Sequence, residues 1–203
     1  MKKHKDRWND LFEFAMYILA AACFVYFLVK GNGAKMFEAV LIVAVLQLIR
    51  LVVRLTKTTL FTALRFCVLL FIFVTMFIAN EFGYYGVIPY LDKFEHLFSG
   101  VILCFIGLLI YSKAAGHQDD ADPSEHSSSR IAVWLCLFFS IAMAGVWEIY
   151  EFATDHLFGL DSQNGSLLDT MTDIICGTSG AILTACYLAL KARKRALPLV
   201  DIR

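Results

Sequence analysis

The stretch Asp169-Thr170-Met171-Thr172-Asp173-Ile174-Ile175-Cys176-Gly177 opens the last apolar segment of the chain. Its two carboxylates stand four residues apart, so on a helix they share one face, one turn above the other. The apolar run that follows reaches Leu190, about the 20 residues that cross the hydrocarbon of a bilayer. A polar pair at the mouth of a membrane-length helix implies a fold of spanning helices with its chemistry at one end. The same skeleton, Asp-x-x-x-(His or Asp)-x-x-x-Gly, occurs in Asp92-Lys93-Phe94-Glu95-His96-Leu97-Phe98-Ser99-Gly100. Between the two lies Trp147-Glu148-Ile149-Tyr150-Glu151-Phe152, with Asp155 beyond it.

Composition points the same way. Hydrophobic residues make up 59% of the 203 positions, against roughly 45–50% in soluble domains. Six segments are long and apolar enough to cross a bilayer, at about 11–29, 36–53, 60–80, 95–111, 131–150 and 168–190. The runs are continuously apolar, whereas barrel strands would alternate. The expected fold is all-α: a polytopic integral membrane protein of six transmembrane helices, forming one membrane domain over residues 1–203. The basic start and Ala20-Ala21-Ala22 resemble a signal peptide, but the run stays apolar through Val29, so the first helix is read as uncleaved. Residues 114–129 are polar, rich in Asp and Ser and broken by Pro123; they read as a flexible connector in which His117 and His126 are solvated. Spans three–four and five–six each join a helix ending in Glu-Phe to one of the Asp-x-x-x motifs, which suggests a degenerate parallel repeat.

Charge orients the chain. Fifteen of the eighteen Lys and Arg residues fall in the N-terminus, the turn after span two, the loop after span four and the C-terminal tail. Only Lys30, Lys35 and Lys93 fall in the alternate loops, so both termini are expected in the cytoplasm. A formal net charge of zero gives no field for nucleic acid. The six cysteines lie in apolar runs without metal or redox spacing and read as buried hydrophobes. Tyr84, Tyr85 and Tyr90 fit an interfacial aromatic belt.

Depth then selects the site. At about 1.5 Å per residue, Asp173 lies about 27 Å from Lys191, Glu148 about 27 Å from Arg130, and His96 about 26 Å from Lys113. Three helices thus place an acid or an imidazole at one level, just inside the outer boundary of a core about 30 Å thick. Glu148, Glu151 and Asp155 fall within an arc of about 60°, and Asp92/His96 and Asp169/Asp173 are i,i+4 pairs. Ionisable groups in spans usually face a bundle interior or a watery cavity, and Gly100, Gly177, Gly180 and Ala181 allow close helix approach beside them. One imidazole among several carboxylates suits Mg²⁺, Mn²⁺ or Zn²⁺. The candidate ligands are Asp92, His96, Glu148, Glu151, Asp169 and Asp173, with His96, Glu148 and Asp173 as the candidate catalytic groups. Asp92 and Asp169 also fit helix caps or first-turn acids. Glu151 and Asp155 also fit solvated helix-end acids, Glu95 is read as peripheral, and Asp161, Gln163 and Asn164 fit a turn as well as a ligand role.

The ordered set Asp92-x-x-x-His96-x-x-x-Gly100, Glu148-x-x-Glu151 and Asp169-x-x-x-Asp173 with Gly180-Ala181 resembles a family of uncharacterised multi-span bacterial membrane proteins, catalogued under a domain of unknown function. The resemblance covers about Tyr90 to Leu190 and implies a six-helix protein of the bacterial plasma membrane. Asp92-Lys93-x-x-His96 is more distantly similar to the VanZ-like proteins, linked to tolerance of glycopeptide antibiotics. The functional expectation is an outward-facing Asp/His/Glu site, metal-dependent and acting on a lipid-linked or envelope substrate. The alternatives are a small proton- or ion-coupled transporter and a non-catalytic membrane partner protein.

Overall fold

The computed structural model describes residues 6–115, 125–159, 162–163 and 165–193. The basic residues at positions 1–5 and 194–203 lie outside the described residues, as do His117, Asp161 and Asn164, the middle of the connector and the side chain of His126.

All regular structure among the described residues is helical, and six helices are long and apolar enough to span a membrane. They are α1 (Arg7–Lys30), α2 (Gly33–Leu55), α3 (Thr62–Glu81), α4 (Leu91–Ala115), α5 (Glu125–Phe158) and α6 (Leu167–Arg193). In lipid no water can satisfy a backbone amide, so a continuous apolar run must close its own hydrogen bonds as a helix. Large apolar side chains such as Trp134, Phe138, Ile149, Ile175 and Leu183 stay more than half exposed. That is the surface of helices meant for hydrocarbon rather than water.

The helices run past the apolar stretches read from the sequence. α5 has 34 residues, about 51 Å at the helical rise, and continues through Glu151 and Asp155 to Phe158. The connector expected over 114–129 is helical at both described ends, since α4 closes at Ala115 and α5 begins at Glu125. Hydropathy marks where lipid is, whereas helical hydrogen bonding continues into the polar layer. Between α1 and α2 the turn is two residues long. Gly31 takes the left-handed conformation at φ 68°, which glycine adopts without strain. Asn32 then caps α2, accepting from the Lys35 amide at 3.2 Å. The second half of α3 is wound more loosely, with the Phe82 amide reaching back five residues to Phe77 O at 2.8 Å.

The chain divides into two compact units, Met1–Leu91 and Asp92–Arg203. The boundary falls at the first residue of α4, inside the first of the two-span repeats suggested by the Glu-Phe motifs. In the first unit Met16, Ala20, Ile42, Leu46, Leu69, Ile72 and Phe77 form the core. At one end of it the buried Glu13 carboxylate pairs with Arg50 and with Arg65, the latter at 2.7 Å. In the second unit Cys104, Leu108, Ala132, Cys136, Ala185 and Leu188 form an apolar core. All six cysteines are free, but only Cys23, Cys104 and Cys136 are buried; Cys186 is exposed and Cys67 and Cys176 half-buried. The expectation of six buried thiols is corrected accordingly, because a span carries side chains on every face and only one face meets protein.

Candidate functional site

The site is built in the second unit by a close crossing of α4, α5 and α6. A Cβ at Gly100 would strike the Gly177 carbonyl, and one at Gly180 would strike the Leu97 carbonyl. From Gly177 the hypothetical Cβ would stand 3.0 Å from the Ala144 methyl and 3.6 Å from His96 O. Ser140 Oγ, fully buried on α5, donates to Gly100 O at 2.8 Å. His96 stands one turn from Gly100, Asp173 one turn from Gly177 and Glu148 one turn from Ala144. A floor of small residues therefore draws three helices together, and the next turn of each carries an ionisable side chain over it.

Asp92, His96 and Asp173 offer ligand atoms that all lie within 4.8 Å of one another. His96 Nε2 is 3.5 Å from Asp92 Oδ1 and 3.8 Å from Asp173 Oδ1. Its other nitrogen, Nδ1, faces Glu148 Oε1 at 3.9 Å. Asp173 is 2% exposed, Glu148 4% and His96 8%. Asp92 is the open side of the group, its side chain 37% exposed. Glu148 Oε1 is buried and has no hydrogen-bond partner among the described residues. Its other oxygen accepts from Gln163 Nε2 at 3.3 Å, and the same amide group reaches Glu148 O at 3.2 Å.

Lys93 is the residue that sequence reasoning missed. Counted there as a loop charge, it lies in the first turns of α4. Its ammonium donates to Asp169 Oδ1 and Asp173 Oδ1 at 2.6 Å each, and to Asp92 Oδ2 at 3.1 Å. Its spacing of three residues from His96 held the signal, since i,i+3 neighbours share a helix face. Gln163 also gains a definite place, because its side chain anchors Glu148.

The remaining candidates are distributed differently. Asp169 joins the site through Lys93. It is a first-turn acid of α6, and its own amide is capped by Ser166 Oγ at 3.3 Å. Glu151 Oε1 accepts from Trp147 Nε1 at 2.9 Å, along its own helix, and is not part of the Asp92–His96–Asp173 group. Asp155 holds the following loop, its two oxygens accepting the Ser162 amide at 2.9 Å and the Gln163 amide at 3.0 Å. Asp155 thereby positions the loop that brings Gln163 to Glu148. Glu95, read as peripheral, is 5% exposed and so is buried in the protein.

This ordered set of acids, the histidine and the glycine floor belong to the part of the chain that a known family describes. The family whose model matches residues 12–194 is described as predicted membrane protein (DUF2238). The chain belongs to that family. No curated protein and no solved structure matches it. The six apolar helices agree with that description, and no relation to the VanZ-like proteins is shown.

In their charged forms Asp92, Asp169, Asp173 and Glu148 place four carboxylates against one ammonium and one imidazole. Such an excess of like charge in a partly buried setting is relieved either by protonation of a carboxylate or by a further cation.

Proposed function

We propose that the second unit binds one divalent cation, Mg²⁺, Mn²⁺ or Zn²⁺, through Asp92, His96 and Asp173. We read it as serving a metal-dependent reaction on a lipid-linked or envelope substrate at the outer leaflet. The observation that carries the cation is the convergence of those three ligand atoms within 4.8 Å, with Glu148 facing the far nitrogen of the same imidazole at 3.9 Å. A carboxylate on the second nitrogen of a ligating histidine fixes its tautomer and raises its basicity. When bound, such an ion supplies a Lewis acid and an activated water, or a hold on a phosphate oxygen. In this reading Asp92 and Asp173 are carboxylate ligands, His96 ligates through Nε2, and Glu148, across from Nδ1, favours the tautomer that carries its proton there. Exposure of Asp92 supports access from the aqueous side, and the bias of Lys and Arg supports placing that side outside.

Lys93 gives the site its own counter-ion. Its ammonium contacts Asp173 Oδ1, the oxygen that also faces His96, so an incoming metal must take that oxygen from the lysine. The same feature favours a second reading, a small proton- or ion-coupled transporter, in which Lys93 exchanges partners. A transporter also needs a polar path inward. Below the site, however, Ser140, Thr184 and Ser179 each spend their hydroxyl on a backbone carbonyl, and the core beyond is apolar.

Manganese titration of the detergent-purified protein, followed by electron paramagnetic resonance, tests the proposal. One ion per chain is expected. Lys93→Met removes the competitor and is expected to tighten binding about tenfold, the worth of one charge-assisted hydrogen bond. Gln163→Leu frees Glu148 and is expected to weaken binding about tenfold, as loss of an outer-shell support does. A wild-type protein that takes up no divalent ion at any loading sinks the metal reading. Proton flux into liposomes, abolished by Asp173→Asn, would establish the transporter instead.

A further inference from the structure

At the other end of the second unit, away from the acidic site, α5 and α6 leave an open groove of about 550 Å³ between them. Trp134, Leu137, Ile182 and Ala189 supply its apolar wall, and Arg130 and Arg193 stand at its mouth. Ile182 lies eleven residues from Arg193, about 16 Å along the helix. The groove therefore runs from the headgroup level into the acyl layer. Trp134 is 59% and Ile182 47% exposed, so the wall faces outward to whatever surrounds the helices. Neither Arg130 nor Arg193 makes an ion pair or hydrogen bond among the described residues.

We infer that this groove binds an anionic phospholipid, its phosphate held between Arg130 and Arg193 and one acyl chain laid along Trp134, Leu137, Ile182 and Ala189. Charge complementarity selects the occupant. A guanidinium fork matches phosphate oxygens in a bidentate fashion, and basic pockets between spanning helices suit anionic headgroups. The apolar wall requires that the anion carry a hydrocarbon chain, which free phosphate lacks. The volume is that of a small-molecule site, too small for a further spanning helix.

Native mass spectrometry of the full chain, released from detergent in phosphatidylglycerol or in phosphatidylcholine, tests this. The wild type is expected to retain one phosphatidylglycerol, preferred about tenfold or more over phosphatidylcholine, from two arginines near the surface. Arg130→Gln with Arg193→Gln is expected to erase the preference while weak binding of both lipids persists. Ala189→Trp fills the groove and is expected to abolish retention of both. Equal retention of the two lipids by the wild type overturns the inference, as does a preference unchanged in the double variant. A groove that retains neither lipid also overturns it. Should Ala189→Trp fail to fold, the double variant at two exposed positions still decides the matter.

Discussion

Asp173→Asn is expected to lose divalent-cation binding by at least about a hundredfold, beyond what outer-shell substitutions cost, while the protein unfolds at nearly the wild-type temperature. Asp173 Oδ1 is the oxygen on which the site converges, 2.6 Å from Lys93 Nζ and 3.8 Å from His96 Nε2. Asparagine keeps the shape and an acceptor for Lys93, and Lys93 retains Asp169 and Asp92. The change therefore removes a charged ligand without leaving an orphaned ammonium. His96→Ala should lose the ion as completely, because it removes the nitrogen ligand. Elemental analysis per mole of purified chain, paired with thermal unfolding of the same samples, separates ligand loss from misfolding. Stoichiometric metal retained by both variants would mean that the ion sits elsewhere.

Gly180→Val is expected to destabilise the second unit by about 3 kcal/mol, the upper end of overpacking costs, and to lose the cation site with it. The atoms a Cβ would meet are backbone: the Leu97 carbonyl, with Leu97 C at 3.1 Å and Val101 N at 3.2 Å. A flexible side chain could swing away, but a helix backbone can yield only by moving α4 off α6. Gly100→Ala meets the Gly177 carbonyl in the same way and should act in the same direction. His96 stands one turn from Gly100 and Asp173 one turn from Gly177 on the same seam, so separation of the helices opens the ligand triad. Gly145→Ala is the control, since nothing lies within 4 Å of its Cβ position. A helix-interior alanine there is expected to be neutral or to stabilise by about 0.5–1 kcal/mol. Unfolding in a graded mixture of denaturing and mild detergent reads all three. A Gly180→Val protein as stable as wild type would refute the close crossing.

The residues that were legible and those that were not differ in kind. His96, Glu148 and Asp173 stand out in the sequence because each is an ionisable residue a countable distance along a long apolar run, and distance along a helix is a matter of counting. Gly100, Gly177 and Gly180 were found beside them for the same reason. Glu151 was grouped with the site because the helical wheel puts it within an arc of Glu148. The wheel is blind to Trp147, whose indole takes the Glu151 carboxylate at 2.9 Å. Asp155 shares that arc but spends both oxygens on the loop amides of Ser162 and Gln163. Lys93 was assigned to a loop because a charged residue beside an apolar run lowers local hydropathy, although α4 had already begun at Leu91. Gln163 was undecidable because its partner, Glu148, comes from the preceding helix and is reached only through the fold of the intervening loop.

The sequence by itself determined the helical class and the six helices long and apolar enough to span a bilayer, and it singled out the ionisable groups by their position along those runs. A bilayer makes this a one-dimensional problem: thickness sets the length of each run, and the absence of water forces each run into a helix. The tertiary structure alone decided which of those groups meet. Asp92 and Asp173 are eighty-one positions apart, and they converge on His96 only because glycines let α4 and α6 touch backbone to backbone. It alone showed that Lys93 already stands among the acids as a resident cation. Distances between side chains on different helices depend on how closely those helices pack, and that closeness is set jointly by pairs of residues that no single run contains.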